Sequence, residues 1–182
     1  MIEGEALVLP PEAAGAAKGY LRVERSDEDA LIAGLLGAAA EICEAFTGQA
    51  LLARGFVEIM PASRAWQRLM RAPVRSIGSV EALAADGTAT PLASEAYAVD
   101  IDADGDGWVR LTDPGELRRV RVRYEAGLAA AWDDLPAALR HGAVRLAAHL
   151  YTQRAPAEAG AGPAPPAAVT ALWRPYRRFR LR

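Results

Sequence analysis

The sequence predicts an α+β fold: a helical layer made by an early helix and a long late helix, an inserted antiparallel β-rich subdomain, and an extended C-terminal arm. Three observations carry this reading. Apolar residues recur at helical spacing from Leu31 to Phe46 and again from Leu135 to Leu150. Between those stretches the pattern changes to a period of two, broken by Asp/Gly turns. After residue 154 the composition turns to Ala, Pro and Gly, then ends in aromatic residues interleaved with Arg. The 182 residues suit one sizeable domain with an appendage, or two small subdomains. The expected division is 1–49 plus 133–154 as helical core, 50–132 as β-rich insertion, 155–168 as flexible linker and 169–182 as arm.

The elements follow in order. Pro10-Pro11-Glu12 opens a short helix running toward Lys18, with Gly19 as its break. Ser26 is the expected N-cap of the next helix, with Asp27, Glu28 and Asp29 at the positive end of its dipole. Leu31, Leu35, Ala38, Ile42 and Ala45/Phe46 form its stripe, and Ile32, Leu36, Ala39 and Cys43 a second one. A helix apolar on two sides is expected between neighbours. Gly34 and Gly37 weaken it by about 1 kcal/mol each relative to Ala, which suggests close approach of another backbone. Gly48 is its stop.

Phe56–Met60, Trp66–Met70 and Ile77–Leu83 read as strands, with Asp86-Gly87 as a hairpin turn. Tyr97–Ile101 and Trp108–Leu111 form a second hairpin. In 120–124, Val120, Val122 and Tyr124 point to a core, and Arg119, Arg121 and Arg123 to the other face. Asp133 or Asp134 caps a late helix with Pro136 in its first turn and Leu135, Leu139, Ala143, Leu146 and Leu150 as its stripe.

Composition excludes several classes. The formal net charge of −2 argues against wholesale nucleic-acid binding, although the tail is basic and 84–106 is acidic with no basic residue. The single cysteine, Cys43, permits no intrachain disulfide and sits in an apolar helix as core packing. The start, Met-Ile-Glu-Gly-Glu, reads as no signal peptide, and no uninterrupted apolar run of membrane-spanning length is seen.

The candidate sites are few. Asp102, Asp104 and Asp106 with Gly107 and Asp113 echo the spacing of an EF-hand calcium loop. Asp113 is short for the last position and the flanks read as strands, so the loop is read as an Asp/Gly hairpin turn. His141 and His149 share one helix without an obvious third ligand. No catalytic motif appears, and the expectation is a non-enzyme with no catalytic residues, no metal and no cofactor.

The Arg119, Arg121 and Arg123 row is either a solvated face paired with carboxylates or a ring or channel contact facing an acidic neighbour or nucleic acid. The end of the chain carries Leu172, Trp173, Pro175, Tyr176, Phe179 and Leu181 as aromatic and aliphatic anchors, with Arg174, Arg177, Arg178, Arg180 and Arg182 between them. It is read as an arm that docks on another chain; the alternative is that it folds back on its own domain. A second functional reading is a nucleic-acid-binding protein using this basic aromatic tail.

A family resemblance rests on the order of several short patterns from about Tyr20 to Arg154. They are Asp27-Glu28-Asp29-Ala30-Leu31-Ile32 continuing to Ala45-Phe46-Thr47-Gly48-Gln49-Ala50, then Ala72-Pro73-Val74-Arg75-Ser76-Ile77, Tyr97-Ala98-Val99-Asp100, Val122-Arg123-Tyr124-Glu125-Ala126-Gly127, Leu135-Pro136 and Leu150-Tyr151-Thr152-Gln153-Arg154. In these the chain resembles the head–tail connector (adaptor, or head-completion) proteins of long-tailed phages and phage-like gene transfer agents.

The resemblance implies a ring, commonly a dodecamer, beneath the portal at the capsid vertex, joining the head to the tail or stopper and extending the DNA channel. It implies the portal protein, neighbouring copies and a stopper or tail-completion protein as partners. DNA would pass through without sequence-specific binding, and no membrane is involved. It places the protein in the neck of a virion or gene-transfer-agent particle assembled in the bacterial cytoplasm. It also implies that the C-terminal segment, residues 172–182, docks on the portal. The Asp-rich hairpin and the Ala/Pro linker depart from the family pattern.

Overall fold

The computed structural model describes residues 1–153 and 165–178. The chain divides into two compact units: Met1–Ala6 with Leu52–Ala130, and Leu7–Leu51 with Ala131–Arg182. The N-terminal residues join the β-rich unit because they supply an edge strand to its sheet.

The β-rich unit holds a five-stranded antiparallel sheet and a three-stranded one. The strands are β1 (Ile2–Gly4), β2 (Arg54–Pro61), β3 (Gln67–Arg68), β4 (Val74–Leu83), β5 (Ala89–Pro91), β6 (Tyr97–Ile101), β7 (Gly107–Leu111) and β8 (Arg119–Ala126). The larger sheet runs β1-β2-β8-β4-β5 and the smaller β3-β7-β6. The alternation of β8 fixes its register. Val120, Val122 and Tyr124 are buried, opposite Met60, Glu58 and Phe56 of β2. The Phe56 and Tyr124 rings stack at 5.7 Å.

Glu58 is buried among these apolar groups and is satisfied there. Its carboxylate accepts hydrogen bonds from the Tyr124 hydroxyl at 3.1 Å and the Met70 N–H at 2.9 Å. Burial, then the neighbouring Glu58 charge, raises the Tyr124 phenol. At the end of β8, Gly127 has φ +156°, and a Cβ there would lie 2.3 Å from the Ala53 nitrogen. Only glycine lets the chain pass so close. The predicted strand over 66–70 shrinks to two residues, while both predicted hairpins form.

The helical unit holds α1 (Pro11–Leu21), α2 (Asp29–Thr47), α3 (Ala137–Thr152) and α4 (Ala167–Trp173). Gly19 does not break α1; the helix stops at Arg22, whose left-handed φ of 57° turns the chain. Ser26 does not cap α2 with its side chain: Glu28 holds the N-cap position and the Asp29 N–H bonds the Ser26 carbonyl at 3.3 Å. Pro136, not Asp133 or Asp134, precedes the first turn of α3, and the aspartates lie in a short 3-10 turn.

The core of this unit comes from Ala13 and Ala17, from Ile32, Leu36, Ala39 and Cys43, from Leu139, Ala143 and Leu146, and from Val169 and Trp173. Thus the buried stripe of α2 is the second one read from the sequence. Of the first stripe, Leu31, Ala38 and Ala45 stay exposed, Leu31 at 40%, and Leu35, Ile42 and Phe46 are half-buried. Burial pushes the Cys43 thiol up to about 12, which leaves it an inert packing group. With a mean hydropathy of 1.6, α2 is long and apolar enough by length and composition alone to cross a membrane, but Glu41 and Glu44 interrupt its apolar run and it packs on α1 and α3.

Candidate functional site

Two arginine-bearing elements were expected to meet partners, and they lie in different units. The first is β8. Arg119, Arg121 and Arg123 stand on the face opposite its buried residues, as alternation requires. They border a groove of about 360 Å³ together with Met1, Glu3, Val57 and Ile59.

Two of the three are engaged. The Arg121 Nε–H donates to one Glu81 carboxylate oxygen and the Arg123 Nε–H to the other at 3.3 Å. Glu81 sits opposite Arg121 across the β4–β8 pair, and only 12% of its side chain is exposed. Burial alone would raise its carboxyl, but the hydrogen bonds from Arg121 and Arg123 outweigh burial and hold it below the ordinary value. Glu81 is the member of this site that sequence reading missed. A cross-strand partner on a strand far along the chain leaves no local signal. Arg119 is exposed and forms no ion pair among the described residues.

The second element is the C-terminal segment. The expectation of an arm from residue 169 docked on another chain is corrected over its first half. Val169 is 1% exposed and Trp173 fully buried, both inside their own unit. Leu172 is half-buried. The Trp173 ring lies 5.9 Å from Phe46 of α2, and its indole occupies the space that a side chain at position 142 would need. A Cβ built on Gly142 would fall 2.1 Å from the indole nitrogen. Glycine on α3 is therefore what admits the tryptophan. Among the described residues the indole N–H finds no acceptor.

Beyond α4 the chain makes a 3-10 turn over Arg174–Tyr176, with Pro175 as the residue that ends regular helix. It is then held along the end of α2. The Gln49 side-chain amide donates to the Tyr176 carbonyl at 2.5 Å, and the Arg178 N–H to the Thr47 carbonyl at 2.8 Å. Arg177 lies over the Phe46 ring at 5.6 Å. Arg174, Pro175 and Arg177 remain exposed. Phe179, Arg180, Leu181 and Arg182 lie outside the described residues, as do 155–164 of the expected linker.

The Asp-rich hairpin is a self-satisfied turn. One Asp102 carboxylate oxygen accepts from the Asp104 and Asp106 N–H groups at 3.0 and 2.9 Å, and the other from the Trp108 indole at 2.9 Å. Asp106 pairs with Arg68 at 3.2 Å. Asp113, the would-be last ligand, bonds Arg64 at 2.8 Å, which with the Gly115 N–H holds its carboxyl below the ordinary value. His141 meets the Tyr20 ring edge-on at 6.1 Å. Among the described residues, no group of three or more His, Cys, Asp or Glu is placed to hold a metal ion.

No family model and no curated protein matches the sequence. Solved structures do. A chain in the neck of an empty gene transfer agent (GTA) particle, computed with C6 symmetry, superposes with a TM-score of 0.77 and 28% identity. The match covers 100% of this chain and 97% of that one. The chain is similar, end to end, to a gene transfer agent neck chain. A chain in the virion of a native GTA particle matches at a TM-score of 0.74 and 28% identity, again over 100% and 97%. One in the neck of a native GTA particle, computed with C12 symmetry, matches at 0.71 and 26%, with the same coverage.

Proposed function

We propose that this protein is a structural subunit of the neck of a phage-like particle, an adaptor that forms a ring beneath the portal, joins head to tail or stopper, and extends the DNA channel. The observation that carries the reading is the whole-chain likeness to chains of GTA necks and virions. Because the match covers both units, the likeness is not confined to one common module. The C6 and C12 symmetry with which those necks were computed supports a ring of copies. The interior fits a scaffold role: its thiol is buried with its pKa raised, and the buried Glu44 and Glu58 carboxylates accept backbone hydrogen bonds.

Within this reading, the exposed Arg119 and the rim of the Glu81 pair supply cationic surface for a neighbouring copy or for DNA in the channel. The portal contact falls to the outer part of the tail: Arg174, Pro175 and Arg177 at the surface, and Phe179 to Arg182 beyond. Trp173 acts as the clamp that anchors this segment to its own subunit. The test is to delete the gene in a producing strain and examine the particles. Filled heads without tails, restored by the full chain, are expected. Complete tailed particles lacking this protein would overturn the proposal.

A further inference from the structure

Among the described residues, the first three turns of α2 bury one of its three apolar faces and leave the other two partly open. The face of Ile32, Leu36, Ala39 and Cys43 is the core. A second face forms a ridge of Leu31, Leu35, Ala38 and Ile42, exposed or half-exposed along the helix. The third, with α1, walls an apolar groove of about 670 Å³. Leu7, Leu9, Ala14, Ala33 and Gly37 line it, and Lys18 and Asp29 neutralise each other at its rim. Val8 beside it is 77% exposed.

The glycines of these helices sharpen the point. A Cβ on Gly15, Gly34 or Gly37 would meet nothing within 4 Å, so the packing inside the subunit does not require them. Helices that forgo side chains where there is room leave their backbones open to close approach from outside.

We infer that the ridge of α2 in one copy lies in the α1–α2 groove of the next copy. The inference rests on the proposed ring. In a ring each copy must offer two different, complementary surfaces to its two neighbours. Here a convex apolar ridge and a concave apolar groove stand on different faces of one helix. The occupant is a second copy and not nucleic acid, because the groove carries no net charge and no exposed arginine. The necks of similar chains, computed with C6 and C12 symmetry, supply the repeated copies that such a contact needs.

The test uses assembled particles. The photoreactive residue p-benzoylphenylalanine replaces Leu31 on the ridge or, as a control, the exposed Thr88 on the hairpin of the other unit. Illumination should link position 31 to a peptide of a second copy within residues 7–37, and position 88 to no such peptide. Gly37→Leu, whose Cβ meets no atom of its own subunit within 4 Å and whose side chain takes up room in the groove, should lower the yield at least tenfold while the melting temperature stays level or rises. Leu31→Asp should likewise reduce the protein in particles without lowering its melting temperature. Cross-links from position 31 only to another protein or to lipid, or a yield unaffected by Gly37→Leu, would overturn the inference and leave the neck reading intact. Absence of the wild-type chain from particles would take down both.

Discussion

β8 and the C-terminal segment are written in the same alphabet and fold by different rules. Both interleave arginine with large apolar residues. In β8 the strand period separates the two sets, so every apolar residue is core and every arginine is on the far face. In the tail the apolar residues at 169 and 173 are one helical turn apart and both are buried, while Arg174 opens a 3-10 turn in which Tyr176 is half-covered. A strand between two others has its faces assigned by its neighbours; a terminal segment takes whatever groove its own subunit or a partner offers. Gly142 offers that groove from within.

The largest expected effect breaks the comparison at its sharpest point. Trp173→Ala should cost about 3–5 kcal/mol, the range for a fully buried large aromatic. For a chain of this length that is a fall in melting temperature of roughly 6–20 °C, at about 2–4 °C per kcal/mol. A melting temperature unmoved by the substitution would return the segment to the status of a free arm. Gly142→Ala asks the same question from the other side. The indole cannot yield, so overpacking should cost about 1–3 kcal/mol, read by chemical denaturation.

A smaller effect separates the arginines of β8 from one another. Arg121→Gln leaves Glu81 with one partner and should cost about 1–3 kcal/mol, whereas the exposed Arg119→Gln should fall within about 0.5 kcal/mol. Equal losses at the two positions would contradict the cross-strand pair.

The same pair sets a pH dependence. The Glu81 carboxyl is held below its ordinary value of 4.5 in the folded state. Its contribution is therefore fully present above that value and is lost as the pH falls through the lower folded one. Denaturation from pH 6 to pH 3 should show a shallower acid loss for Glu81→Gln than for the wild type. The smallest effect is a null. Calcium should not move the melting temperature, because Asp102 is already satisfied by N–H donors and Asp113 by Arg64. A rise of several degrees would show a site that the turn conceals.

What could be read from the sequence follows from where the deciding partner lies. The β8 alternation, the Asp86-Gly87 turn and the Gly48 stop depend on neighbours a few residues away, and each is where the pattern places it. The faces of α2 were not legible. Three apolar faces present no contrast, and the one that became core was chosen by α1 and α3. The Glu81 partnership and the Gly142–Trp173 fit join residues far apart in the chain, so neither leaves a periodic trace. Ser26 was passed over as a cap because the backbone turn at Glu28 serves the helix start.

The most direct measurement of the central claim is a cryo-EM reconstruction of the neck of particles from a strain that makes this protein, with the chain identified by an epitope tag in the Asp86-Gly87 turn and a bound antibody fragment. The account predicts a closed ring of copies between portal and tail, with the fragments spaced evenly around it. A well-resolved neck ring built from another protein, with no bound fragment, would contradict it.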